Sequence, residues 1–266
     1  MRKTYTIALA ASTILVAQAG CALAQDADEL AKQLSNPIAS LISLPIQMNF
    51  DFGAFGNGFG HTTNVQPVIP FSLNDDWNLI SRTIVPIAYR DYLPPPNGDT
   101  FGLGDITQSL FFSPKAPGPG GLIWGVGPVM LLPTATDDFL GAGKWGLGPT
   151  GVALVQNGPW TVGALANHIW SVGGEDSRPG VNVTYLQPFA SYSLGGGKTL
   201  SAATESSYDW NSDQWTVPVI VGGSQVFKVG EQAMSFQVAG KWFAVRPDGA
   251  PEWGVRTTLT LLFPRK

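Results

Sequence analysis

The chain has a single cysteine, Cys21, and it falls in a segment that reads as an export leader. Beyond that leader there is nothing to form a disulfide or a thiolate metal site. Charge is scarce too, at 13% of residues against the usual quarter or so. There are only two histidines. Past the leader, no run approaches the eighteen or so uninterrupted apolar residues of a membrane helix. Positive charge is the scarcest kind. Removing the leader takes Arg2 and Lys3 and leaves 13 basic residues against 19 acidic ones, a formal charge of −6. Nucleic acid is therefore not an expected partner, because it demands a basic footprint. An exported chain without disulfides must draw its stability from burial, backbone pairing or a membrane.

What is present points to the membrane. Arg2 and Lys3 precede a short apolar stretch over residues 7–16, and Ala22-Leu23-Ala24 gives a small-x-small cleavage pattern before Gln25. Residues 1–24 thus read as a cleavable signal peptide. A rival reading takes Gln18-Ala19-Gly20-Cys21 as a lipoprotein signal with Cys21 acylated, though Gln18 suits that pattern poorly. Glycine (32), proline (21) and tryptophan (9) are abundant. A weakly charged, aromatic-rich exported chain with no spanning helix can still cross a membrane as a closed barrel, which satisfies its own backbone in lipid.

Residues 28–34 read as a short helix, followed by Asn36-Pro37 capping a second turn with Ile38, Leu41 and Ile42 at helical spacing. Residues 25–43 are expected to form a periplasmic helical segment or plug, and residues 44–266 an all-β, antiparallel up-and-down transmembrane barrel of about twelve strands. The twelve segments are 44–53, 61–72, 77–90, 101–113, 121–133, 143–156, 160–173, 181–194, 198–210, 213–227, 232–245 and 251–264. Several alternate cleanly, as a wall with two different faces requires. In the last, Trp253, Val255, Thr257, Leu259, Leu261 and Phe263 oppose Gly254, Arg256, Thr258 and Thr260. Segments 121–133, 143–156 and 160–173 alternate poorly and rest on length and turn signals. The connections alternate as well. Those after even-numbered segments are mostly tight, such as Asn157-Gly158-Pro159 and Gly195-Gly196-Gly197, and those after odd-numbered ones are mostly longer. Outer-membrane barrels show this asymmetry, with short periplasmic turns and long external loops.

On this topology Trp145, Trp170, Trp210, Trp215, Trp242 and Trp253 lie near external strand ends, and Trp77, Trp124 and Trp160 lie toward the periplasm. Two such bands match the headgroup levels of a bilayer; the alternative is a soluble sandwich with tryptophans in its core. Pro67, Pro70, Pro86, Pro128, Pro149, Pro188 and Pro218 fall inside expected strands, where each removes a ladder donor. They read either as bulges or misplaced boundaries, or as gaps through which an apolar solute leaves sideways into the bilayer.

Several stretches resemble a known family. They include Gln66-Pro67-Val68-Ile69-Pro70-Phe71 running into Asp76-Trp77-Asn78-Leu79-Ile80-Ser81-Arg82, Phe101-Gly102-Leu103-Gly104-Asp105-Ile106 and Trp124-Gly125-Val126-Gly127-Pro128. Leu131-Leu132-Pro133-Thr134-Ala135-Thr136-Asp137-Asp138, Asn167-His168-Ile169-Trp170-Ser171 and Gln214-Trp215-Thr216-Val217-Pro218 continue it. Together they resemble the phenol-degradation MetA-pathway family of proteobacterial outer-membrane proteins, whose members often carry the misleading label neuromedin U. The resemblance covers nearly the whole chain beyond the leader. It implies a barrel with in-strand prolines and a transport role, and it supplies no catalytic residues.

Motifs for chemistry are weak. Gly141-Ala142-Gly143-Lys144-Trp145-Gly146 and Gly146-Leu147-Gly148-Pro149-Thr150-Gly151 match a dinucleotide pattern, but neither follows a strand and opens a helix. No cofactor is expected. His61 sits at a loop edge. His168 lies mid-strand near Asn167 and Ser171, but adjacent strand residues point to opposite faces, so Asn167 cannot orient it for hydrolysis. A structural histidine is the preferred reading and an outer-membrane hydrolase the third-ranked one. Asp137-Asp138 and Glu175-Asp176 fall in external loops, either solvated or sharing divalent cations with lipopolysaccharide. The expected lumen-lining residues are Arg82, Arg90, Asp105, Gln187, Glu205, Gln237, Lys241 and Arg256, joined by Asn64 and Gln66. They would either close the barrel as a network or line a wet passage. The leading expectation is a bacterial outer-membrane channel for small solutes, including hydrophobic or aromatic ones, in contact with lipid and lipopolysaccharide. The alternative is a structural or surface-interaction barrel with a closed lumen.

Overall fold

The computed structural model describes residues 26–93 and 98–264; the expected signal peptide and Cys21 lie outside the described residues. Residues 26–34 are helical, and an irregular turn over residues 35–41 leads into the first strand. The strands that follow are β1 (Ile42–Ala54), β2 (Gly58–Val65), β3 (Val68–Ser72), β4 (Trp77–Arg90), β5 (Thr100–Leu103), β6 (Ile106–Pro114), β7 (Leu122–Leu132), β8 (Lys144–Asn157), β9 (Trp160–Gly174), β10 (Asn182–Gly195), β11 (Lys198–Thr204), β12 (Ser206–Asp209), β13 (Gln214–Val229), β14 (Gln232–Val245) and β15 (Trp253–Phe263). The pairs β2/β3, β5/β6 and β11/β12 are each one stave with a short interruption, so the wall has twelve antiparallel staves. The last pairs with the first in register from Ile42↔Phe263 to Phe52↔Trp253. That closing seam makes the sheet a barrel and leaves it no edge.

Alternation explains the regular part of the wall. Along β15, Gly254, Arg256, Thr258, Thr260 and Leu262 are buried, while the residues between them are not. The outward face carries large apolar side chains left open in the isolated chain, among them Leu200, Val221, Phe236 and Val238. An apolar band this extensive is what a lipid-facing wall presents, and it exceeds what a soluble monomer leaves exposed. Trp145, Trp170, Trp210, Trp215, Trp242 and Trp253 are all exposed and lie at the strand ends that carry the longer connections. Trp77, Trp124 and Trp160 lie at the opposite, tight-turn end, with Trp77 and Trp124 edge-to-face at 5.9 Å. The two bands match an indole girdle at each membrane surface.

Four of the in-strand prolines lie at or beside skipped rungs. The β8–β9 ladder passes from Leu147↔Trp170 to Thr150↔Asn167 and omits the level of Pro149. The β6–β7 ladder passes from Ser109↔Val129 to Phe112↔Val126 and omits that of Pro128. Pro188 and Pro218 lie on the strands flanking the Thr204–Glu205 interruption, where β10 pairing stops at Phe189↔Ala203 and resumes at Leu186↔Ser206. Register is retained across each of these three gaps, so they are missing donors rather than inserted residues. The bulge reading holds elsewhere, between Val217 and Pro218 against β14.

Candidate functional site in the lumen

The N-terminal segment sits inside the barrel at its tight-turn end. Leu30, Ala31 and Leu41 pack on the inward-facing Val226, Ala233 and Leu262. Ile38 packs on Ile80, Phe111, Val152, Leu154 and Leu165. Polar ties fix the same segment to the wall. Asn78 Nδ2 donates to Ser40 Oγ at 3.0 Å, Gln156 Nε2 donates to the Lys32 carbonyl at 2.9 Å, and Asp28 accepts from the Gly197 N–H at 2.7 Å. Lys228 pairs with Asp26 at 3.3 Å. Part of the interior at this end is therefore apolar, a departure from the expectation of a polar inside. The reason is mechanical: a packed segment needs an apolar surface to pack on.

Above this floor lies a cavity of about 610 Å³. Its lining includes Asn64, Gln66, Arg82, Tyr185, Gln187, Glu205, Gln237 and Arg256, together with Ile84, Leu165, Val183, Phe189 and Ile220. On the other side of the helix a second cavity of about 710 Å³ opens among Asp28, Lys32, Gly158, Ser193 and Gly195. Ala31, Ser35, Ser191 and Thr199 line both, so the two spaces adjoin between the helix and the β10–β11 wall.

Most lumen charge is neutralised by pairing between inward side chains of nearby staves. Arg256 donates to both oxygens of Glu205 at 2.7 Å each, and its Nε donates to Asn49 Oδ1 at 2.7 Å. This planar two-toothed pairing is the strong form of the arginine–carboxylate bond, and it ties β15 to the β11/β12 stave and to β1. Lys241 pairs with Asp51 at 2.5 Å and lies over Phe243 at 5.0 Å. Gln237 donates to Ser201 at 3.1 Å and accepts from Thr258 at 3.4 Å. Arg82 donates to Gln66 Oε1 at 3.1 Å. Gln187 lines the cavity.

Two of the expected lining residues serve the loops instead. Arg90 donates to the Phe139 carbonyl at 2.7 Å, and Asp105 accepts from the N–H groups of Ala135 (3.1 Å) and Ala142 (2.6 Å). Both hold the long connection after β7. The acidic loop residues are engaged likewise. Asp137 accepts from the Phe139 N–H at 2.9 Å. Asp138 lies 3.7 Å from Arg178, whose guanidinium also donates to the carbonyls of Asp138, Gly141 and Ala142. Glu175 and Asp176 belong to the neighbouring loop that carries Arg178. A guanidinium thus bridges the two loops where a shared cation was one expectation. Among the described residues no three His, Cys, Asp or Glu side chains gather as a metal would need.

Sequence reasoning missed Asn49 and Asp51, the partners of Arg256 and Lys241, and it missed Arg178. Asn49 and Asp51 had a signal: Gln47, Asn49 and Asp51 alternate with Ile46, Met48, Phe50 and Phe52, a period of two on the first strand. Arg178 had none, because a loop contact has no periodicity.

The histidines face away from the lumen. His61 stacks on Phe50 with centroids 4.7 Å apart. His168 Nδ1 lies 2.7 Å from Thr184 Oγ1 and Nε2 lies 3.0 Å from Asn182 Oδ1. An amide oxygen only accepts, so Nε2 carries the proton and the Thr184 hydroxyl donates to Nδ1. Trp210 Nε1 donates in turn to Thr184 at 2.8 Å. Cross-strand pairing supplies the hydroxyl and amide that sequence neighbours could not.

Comparison with known proteins bears on the fold. No family model matches the chain, and no curated protein matches it. Among solved structures it is similar to the COG4313 outer membrane channel from Pseudomonas putida F1, with a TM-score of 0.65 and 14% identity over 84% of this chain and 94% of that one. Weaker likenesses include outer membrane phospholipase A from Escherichia coli (TM-score 0.45, 12% identity, 83% and 92% covered) and a Pseudomonas aeruginosa FadL homologue (TM-score 0.36, 12% identity, 77% and 68% covered). The fold is that of a bacterial outer-membrane β-barrel.

Proposed function

We propose that the protein is an outer-membrane channel for small solutes with a substantial apolar part, entering from the long-loop end and leaving past the N-terminal segment. One observation carries this reading: a cavity on the barrel interior with mixed polar and apolar lining adjoins, around the helix, a second space at the tight-turn end. The channel named in the first comparison supports the same reading by likeness of fold. On the outer-membrane pattern the tight-turn end and both chain termini face the periplasm, and the apolar band with its girdles meets lipid and lipopolysaccharide. The motif resemblance supports membership of the phenol-degradation MetA-pathway family. Planar-bilayer conductance and liposome swelling of the purified barrel test the proposal. Passage of ions and small solutes is expected, and a barrel that passes nothing across a broad panel would count against it.

The alternative, a rigid barrel that acts through its outer surface, is favoured by the ion pairs that tie nearby staves together inside the barrel and by the N-terminal segment packed at one end. It expects normal solute uptake in a deletion strain, with altered envelope integrity instead.

A further inference from the structure

The charges facing the lumen cavity are Arg82, Arg256 and Glu205, with the Lys241–Asp51 pair nearby. Arg256 and Glu205 neutralise one another, and so do Lys241 and Asp51. Arg82 is left over. Among the described residues it has no carboxylate within ion-pair distance, and its side chain makes one hydrogen bond, to Gln66. A guanidinium carries five N–H donors in a planar fork, so most of its capacity is turned to the cavity. The side opposite carries the apolar side chains of Leu165, Val183, Phe189 and Ile220, set among Asn167, Tyr185 and Gln187.

We infer that Arg82 makes this cavity a binding site for the carboxylate of a small amphiphilic monoacid, whose apolar body lies against those apolar side chains. The inference rests on the channel reading and names its solute class. Charge, shape and size each select. One uncompensated cation takes one negative charge; a dianion would bring a second beside Glu205 with no free cation to meet it. The planar fork matches a planar carboxylate in two-point contact. A volume of about 610 Å³ lies within the roughly 300–1,000 Å³ typical of small-molecule sites, enough for an aromatic acid or a medium-length chain. A neutral apolar solute of the same shape would bury the guanidinium without neutralising it.

The test uses the folded barrel in detergent micelles, with benzoate and its neutral counterpart benzamide as probes, read by equilibrium dialysis. Benzoate is expected to bind about tenfold or more tightly than benzamide. Arg82→Gln should remove that preference, and Arg82→Lys should keep part of it. Arg246→Gln, a cation paired to Glu252 at the loop end, controls for bulk charge and should change nothing. Equal binding of the two probes, a preference that survives Arg82→Gln, or an equal loss in Arg246→Gln would overturn the assignment. Retained heat-modifiable mobility in each variant confirms the fold. Bilayer conductance of the same samples separates the two claims. Benzoate binding without conductance sinks the channel and keeps the site; conductance without benzoate preference does the reverse.

Discussion

The two sides of the barrel are built differently. Around the closing seam, β14, β15 and β1 pair without a missing rung, and the inward positions Asn49, Ser235, Lys241, Arg256, Thr258 and Thr260 are polar and buried. Across the barrel, β6 to β9 skip rungs at Pro128 and Pro149, and their inward positions include the apolar Phe111, Val129, Val152, Leu154 and Leu165 beside the polar Ser109, Ser113, Thr150 and Thr161. Outward positions are mostly apolar on both sides, with Gln108, His168 and Thr257 among the exceptions. One wall is lined chiefly by polar groups within, while the other carries an apolar patch on its inner face, where Ile38 packs on it. A barrel that carries an internal segment has a dry wall for the segment and a polar wall for the passage. The regular side also meets the helix, but only at its tight-turn end, through Val226, Ala233 and Leu262.

The sharpest way to break this contrast is to make the dry wall wet. Ile38→Asp would place a carboxylate among Ile80, Phe111 and Leu165 with no partner, a penalty of several kcal/mol that the segment escapes by leaving the lumen. Single-channel conductance is expected to rise several-fold, with lower resistance to urea. Unchanged conductance would detach the segment from the passage. Next in size is the polar wall. Arg256→Ala strands the Glu205 carboxylate in the interior and should cost about 3–5 kcal/mol, whereas the double change Arg256→Met, Glu205→Gln should cost far less. Urea-driven unfolding in micelles reads both. Equal losses would mean that the pair acts through packing alone.

The same contrast explains what could be read from residues alone. All twelve staves were legible, and on β15 even the facing of each residue, because a polar lumen and a lipid exterior stamp a period of two on the chain. Segments 121–133, 143–156 and 160–173 alternate poorly for a physical reason: their inner face carries Val152, Leu154 and Leu165, on which Ile38 packs, so large apolar side chains stand on both faces. Poor alternation there marks where the N-terminal segment docks. Arg82, Glu205, Gln237, Lys241 and Arg256 follow from strand periodicity. Asp105 and Arg90 fit the same period yet hold a loop, since a residue at a stave's end can meet either the lumen or the connection folded over it.

A smaller effect tests why the dry wall skips rungs. A Cβ on Gly148 would overlap the His168 carbonyl oxygen, and one on Gly127 would overlap that of Leu110. Each glycine precedes the proline at a gap, so the missing donor lets the facing carbonyl move onto bare backbone. Gly148→Ala forces that carbonyl back and should cost about 1–3 kcal/mol, the usual range for overpacking. Tolerance of alanine at both positions would mean the close approach is not needed by the fold.

The smallest change goes the other way. Pro149 lies on the outward face, and Pro149→Val restores the one donor that its level of the β8–β9 ladder lacks. A single regained backbone hydrogen bond contributes about 1 kcal/mol, so the urea midpoint should rise slightly. The informative readout is uptake. If the gap is only a tolerated defect, entry of benzoate and of a neutral apolar probe stays as in the parent. If the gap is a sideways exit into lipid, the neutral probe slows while benzoate, which must remain in water, does not. A rise in stability with no change in either rate would assign the prolines to the curvature of the dry wall and leave the route past the helix as the way out.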